Sequence, residues 1–168
     1  AGVPVAAILA GRLGKHRAWC AAMLASCVLF VFVPLLDTGD ILAFAVICVT
    51  TGLCLGFDLA LPAAIQADVI DVDTAASGEQ RSGLYFAAWS LATKLSLALG
   101  VGIVFPLLDA FGFQPGARNT EAALLGLVSL YVWLPVALKL VAVAMMWNFP
   151  LGEAEQSALR RTIEARRA

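Results

Sequence analysis

Three ionisable residues interrupt the longest apolar runs of this sequence. They are Asp58 in ILAFAVICVTTGLCLGFDLALPAAIQA, Lys94 in LYFAAWSLATKLSLALGVGIVFPLL, and Lys139 between Ala122 and Leu151. At a helical rise of ~1.5 Å per residue, Asp58 lies ~15 Å from Asp68 at the polar end of its run. By the same count Lys94 lies ~17 Å from Gly83, and Lys139 ~16 Å from Pro150. One carboxylate and two amines therefore share a depth. Such groups can pair, hold a cation or carry a proton, and in an apolar setting each needs a partner or a wet cavity. Asp58 and Lys94 stand on runs joined by one loop and are expected to pair; a structural contact and a polar pathway both fit that pairing. Lys139 fits either role equally, because a long stem lets its amine bend towards a neighbour.

Ser90 precedes Lys94 by four residues and shares its helix face, while Trp89 lies partly off it. An aromatic ring and a hydroxyl beside a buried cation suit a polyhydroxylated ligand. Lys94, Ser90, Trp89 and Asp58 are thus the candidate ligand-binding residues, although packing alone also accounts for a tryptophan. Pro62 follows Asp58 by four positions, with Gly52 and Gly56 nearby, and removes the backbone bond to the Asp58 carbonyl. Bends at this depth occur at solute sites and in ordinary membrane helices alike. A second cluster, Asp68, Asp71, Asp73, Glu79 and Arg81, is either a solvated turn or a set of charges that pair with basic loops. The four cysteines, Cys20, Cys27, Cys48 and Cys54, lie in apolar runs without a CxxC pair, and His16 lies between Lys15 and Arg17. That pattern gives no expectation of a metal, a cofactor or the nucleophile–base set of an enzyme.

The elements that must position these residues follow from composition. The chain of 168 residues is 61% hydrophobic and 14% charged, with a mean hydropathy of +0.90. Soluble domains average roughly half apolar and about a quarter charged. So little polar surface cannot cover a water-soluble globule. A net charge of −1 gives no basic footprint for nucleic acid. Four runs are long enough to cross a bilayer, which takes ~20 residues: Ala18 to Leu36, Ile41 to Ala67, Leu84 to Leu108, and Ala122 to Leu151. The opening AGVPVAAILAGRLGKHR has its apolar stretch before its basic one, the reverse of a secretory signal. It is expected to be the end of a further span. Lipid offers backbone amides no partner, so the spans are expected to be helices.

The expected fold is therefore all-α, a polytopic bundle of about four and a half spans over residues 1–151. A polar tail over 152–168 follows it. Alternation of the spans puts Arg12, Lys15, Arg17, Arg81, Arg160, Arg161, Arg166 and Arg167 on one face and only Arg118 on the other. Positive charge marks the cytoplasmic side. Residues 11–17, 68–83 and 152–168 are accordingly expected in the cytoplasm, with the chain in the plasma (inner) membrane.

The sequence GRLGKHRAW, followed by PAAIQADVIDVD and SGEQRSGLYFAAWSLATKLSLALG, resembles the C-terminal half of the glycoside–pentoside–hexuronide:cation symporters. This family includes the melibiose permease and belongs to the major facilitator superfamily. The likeness runs from about Gly2 to Phe149 and implies the end of the eighth helix through the twelfth. It implies alternating-access transport of a small polar solute, a sugar or glycoside, coupled to Na⁺ or H⁺. Lys94 would fall beside the sugar and cation sites, and Ser90 on a sugar-pocket position. Trp89 replaces a polar residue of the melibiose permease, and Asp58 has no acidic counterpart there. Asp68, Asp71 and Arg81 would fall in the cytoplasmic gate. The implied partners are lipid, solute and an N-terminal helical half carrying the family's main cation-binding acids. A non-transporting membrane scaffold or half-size subunit is the alternative.

Overall fold

The computed structural model describes residues 2–37 and 39–149. The expected tail and the end of the last span lie outside the described residues. Helices α1 (Gly2–Leu13), α2 (Lys15–Val31), α3 (Ile41–Ser77), α4 (Ser82–Ala110), α5 (Glu121–Val128) and α6 (Leu134–Met146) account for nearly all of them. A 3₁₀ turn, Val33–Leu35, extends α2, and a π-helical turn, Ser129–Trp133, joins α5 to α6. Among the described residues, four helical stretches are long and apolar enough to cross a membrane: Lys15–Leu35, Ile41–Ser77, Ser82–Ala110 and Glu121–Met146. The all-α bundle of membrane-spanning helices is thus as expected.

Helix α2 is the centre. Its Ala18 and Ala22, one turn apart, pack with Ala6 and Ala10 of α1 and with Phe57 and Leu61 of α3. Another side, Cys20 and Met23, meets Val143 of α6. Small side chains suit this environment: lipid is as apolar as leucine, so helices associate through close packing. The tightest approach is between α1 and α3. A Cβ on Gly56 would lie 2.7 Å from the Gly2 backbone, so only glycine lets these helices touch.

Helix α4 is different. None of its residues is buried, and it leans on the bundle only lightly. A polar link to α3 is the Gln66 amide, whose Nε2 donates to the Tyr85 carbonyl at 2.8 Å. The other Gln66 atom, Oε1, is buried without a hydrogen-bond partner.

Two boundaries depart from expectation. The acidic stretch from Asp68 is helical as far as Ser77, so the expected 68–83 loop shrinks to the few residues before Ser82. Charge does not break a helix; glycine does. Gly78 adopts φ 74°, and its amide caps the Thr74 carbonyl at 2.9 Å. At 37 residues, α3 is ~55 Å long and exceeds a ~30 Å hydrocarbon core, so its acidic end projects beyond the lipid. The last span, expected to run unbroken from Ala122, starts at Glu121 under a Thr120 cap and contains the π turn. Pro135 has no N–H to return to the preceding turn, which accounts for the widened backbone just before it.

Candidate functional site

Asp58 sits midway along α3 and is fully engaged. Its Oδ1 accepts from the Trp19 indole Nε1 of α2 at 2.7 Å, and its Oδ2 from the Lys139 ammonium of α6 at 2.9 Å. Both charged side chains are 26% exposed. Three helices are thus tied at one depth by one carboxylate. Pro62, one turn further on, leaves the Asp58 carbonyl without its helical donor. Cys27 and Cys54 lie within electrostatic reach of the pair.

The expected partner of Asp58 was Lys94, and this is corrected: the partner is Lys139. The physical reason is helix position. Helix α6 packs directly on α2, bringing Lys139 beside Asp58, whereas α4 stands at the margin. Lys94 is exposed there, with no recorded partner among the described residues. Ser90 is exposed on the same helix, and Trp89 is 47% exposed. Trp89 helps to wall a cleft of about 430 Å³ whose opposite side includes Trp19 and Gln66; Ser90 and Lys94 do not line it. The four candidate ligand-binding residues therefore fall into two places, Asp58 inside the bundle and the other three on α4.

At the end of the bundle near Gly14, the Lys15 ammonium contacts both oxygens of Asp68 at 2.7 Å. The Asp68 side chain is 8% exposed, so this pair is the more sheltered of the two interhelical ones. A basic loop and an acidic helix end meet here. Gly14, at φ 84°, turns the chain in a single residue between α1 and α2 and so delivers Lys15 to that position. Arg81 is engaged locally, with Glu79 at 2.8 Å on the exposed surface. Asp71 is half-buried one turn beyond Asp68. One Asp73 oxygen is buried without a hydrogen bond. Among the described residues no three metal-capable side chains converge.

Sequence reasoning missed Trp19, and it offered the Asp68 cluster a pairing with basic loops without naming Lys15. Trp19 lay in a charge-free span, and nothing in its spacing pointed at α3. Lys15 was visible only as part of a basic cluster.

Membrane-length helices, an ion pair held halfway along them and a second amine within another span define a polytopic membrane protein with polar groups inside its spans. The chain belongs to the MFS/sugar transport protein family, which matches residues 1–153. It is also similar to an uncharacterised symporter of Synechocystis sp., 25% identical over 138 residues. These are 79% of this chain and 25% of that protein, so the chain spans about a quarter of that relative's length. No solved structure matches. Membership in a family of transporters sets the enzyme reading aside.

Proposed function

We propose that this chain contributes the C-terminal helices of a cation-coupled secondary transporter. The transporter moves a small polar solute, a sugar or glycoside, by alternating access and is driven by Na⁺ or H⁺. Within the superfamily, the motifs from GRLGKHRAW to SGEQRSG favour the melibiose permease-like symporters. One observation carries the reading: with Asp58 committed to Lys139, Lys94 is a mid-span amine with no recorded partner among the described residues. An ammonium at that depth costs ~2.5–3.5 kcal/mol in lipid. A solute, a wet pathway or an acid from the N-terminal half offsets that cost.

In this reading Lys94 and Ser90 contact the solute and Trp89 borders its path. Asp58, already holding two donors, is the least available of the four. Asp68, Asp71 and Arg81 form the cytoplasmic gate, with the Lys15–Asp68 pair as its closed contact. Residues 11–17, the 68–83 segment and the 152–168 tail then face the cytoplasm, on the inner membrane.

The test is uptake of labelled glycosides by the full-length transporter in vesicles under an imposed Na⁺ or proton gradient. Lys94→Gln is expected to abolish gradient-driven uptake. Uptake at the wild-type rate would remove Lys94 from the mechanism.

A further inference from the structure

The acidic end of α3 leaves one charge unanswered. Asp68 is held by Lys15, and Glu79 by Arg81. Asp73 has no recorded ion pair among the described residues, and its Oδ2 is buried without a hydrogen bond. A carboxylate oxygen shut off from water and given no donor is costly. Helix α3 outruns the hydrocarbon core at this end, so a donor can reach Asp73 from the aqueous side.

The chain itself brings donors to this point. Val69 and Phe149 wall one cleft, so the path that leaves Phe149 starts beside α3. The Phe149 ring centroid lies 6.4 Å from that of His16, the neighbour of Lys15, which fixes it at the Asp68 end. Asp73 stands one turn beyond Val69 on the same face of α3, a rise of ~6 Å. The sequence after Phe149, PLGEAEQSALRRTIEARRA, holds Arg160, Arg161, Arg166 and Arg167, and from Gln156 onward Glu164 is its one acid. The stretch from Phe149 to Arg160 spans ~17 Å as a helix and up to ~36 Å extended. Either exceeds the rise to Asp73. A guanidinium then supplies a planar fork of N–H donors that fits a carboxylate edge.

We propose that the face of α3 at Asp73 is the docking site of this chain's own C-terminal segment, with Arg160 and Arg161 against the Asp73 carboxylate. The contact latches the sequence that follows α6 onto the projecting end of α3, beside the Lys15–Asp68 pair.

The experiment places the photo-crosslinker p-benzoylphenylalanine at Thr162 of the full-length protein in phosphatidylglycerol–phosphatidylethanolamine vesicles. Adducts are mapped by mass spectrometry. Capture is expected within the same chain, on residues 69–77. Adducts mainly on lipid, on the N-terminal half or on a second copy overturn the proposal. Asp73→Asn is expected to cut capture on 69–77 about fivefold, as loss of a hydrogen bond to a charged group should. Glu79→Gln removes a charge at the same end that Arg81 already holds, and capture should stay unchanged. Equal losses from these two variants would mean diffuse attraction in place of a docking site, and would overturn the assignment. Arg160→Gln with Arg161→Gln should match Asp73→Asn, whereas Arg166→Gln with Arg167→Gln should keep capture. These arginines follow the last span, so they decide the matter even if Asp73→Asn fails to fold: wild-type capture without Arg160 and Arg161 defeats the idea.

Discussion

The Asp58–Lys139 pair makes the sharpest prediction. Lys139→Met keeps the stem and removes the charge, leaving the Asp58 carboxylate with the Trp19 indole as its remaining donor. Breaking a buried ion pair from one side costs ~3–5 kcal/mol, because the survivor stays desolvated. Here both side chains are a quarter exposed, so their desolvation is partial. The expected loss is therefore ~1–3 kcal/mol. Asp58→Asn should cost a similar amount. The double variant, with neither charge, should cost less than the sum, giving a coupling of ~1–2 kcal/mol. The assay is denaturant unfolding of the full-length protein in detergent, run as a double-mutant cycle. A parallel cycle of Asp58→Asn with Lys94→Met should show coupling near zero. The reasoning is refuted if Asp58 couples to Lys94, or if it shows no coupling to Lys139.

Three further outcomes follow from geometry. Exchanging the charges of the other pair, Lys15→Asp with Asp68→Lys, should restore much of the transport rate lost by either change alone, measured as solute exchange across vesicles; no rescue would argue against their contact as a gate. Gly56→Ala places a methyl 2.7 Å from the Gly2 backbone, and overpacking of this kind costs ~1–3 kcal/mol. Thermal unfolding checks it, with Gly52→Ala, where a Cβ meets open space, as the harmless control. Gln66→Leu loses the bond to Tyr85 but also removes a buried acceptor that has no partner. Its net effect on unfolding free energy should stay below ~1 kcal/mol, and a larger loss would show that Oε1 is satisfied in the membrane.

How much of this was legible before the structure depends on which coordinate is asked for. Depth along a span is additive: residues count off at a fixed rise, so Asp58, Lys94 and Lys139 could be placed at one level from the sequence. Direction around the bundle is not additive, because it depends on which helices pack. The spans of α2, α3, α4 and α6 are apolar all round, with no polar stripe to betray a lipid face. The same lack of stripe hid Trp19, which is an ordinary membrane aromatic until α3 brings a carboxylate to it. Helix ends carry their own signals, glycine at Gly78 and threonine at Thr120, which the expected bounds did not use. They were misread where acidity was taken for a loop, from Asp68 to Ser77.

The charges halfway through the spans lead to a division of labour. Two amines and one acid share that level, and the acid chooses the amine on the helix that packs beside α2. The choice ties α2, α3 and α6 through a single carboxylate, and the glycine crossing adds α1 to the same body. Helix α4 is left outside it, joined to α3 by a short segment and the Gln66–Tyr85 bond. Helix α4 has no buried residue at all and carries the amine that the bundle leaves unmatched. The partner of Lys94 therefore lies outside the described bundle, and the solute, a wet pathway or an acid of the N-terminal half proposed above would each meet it from the face that α4 leaves open.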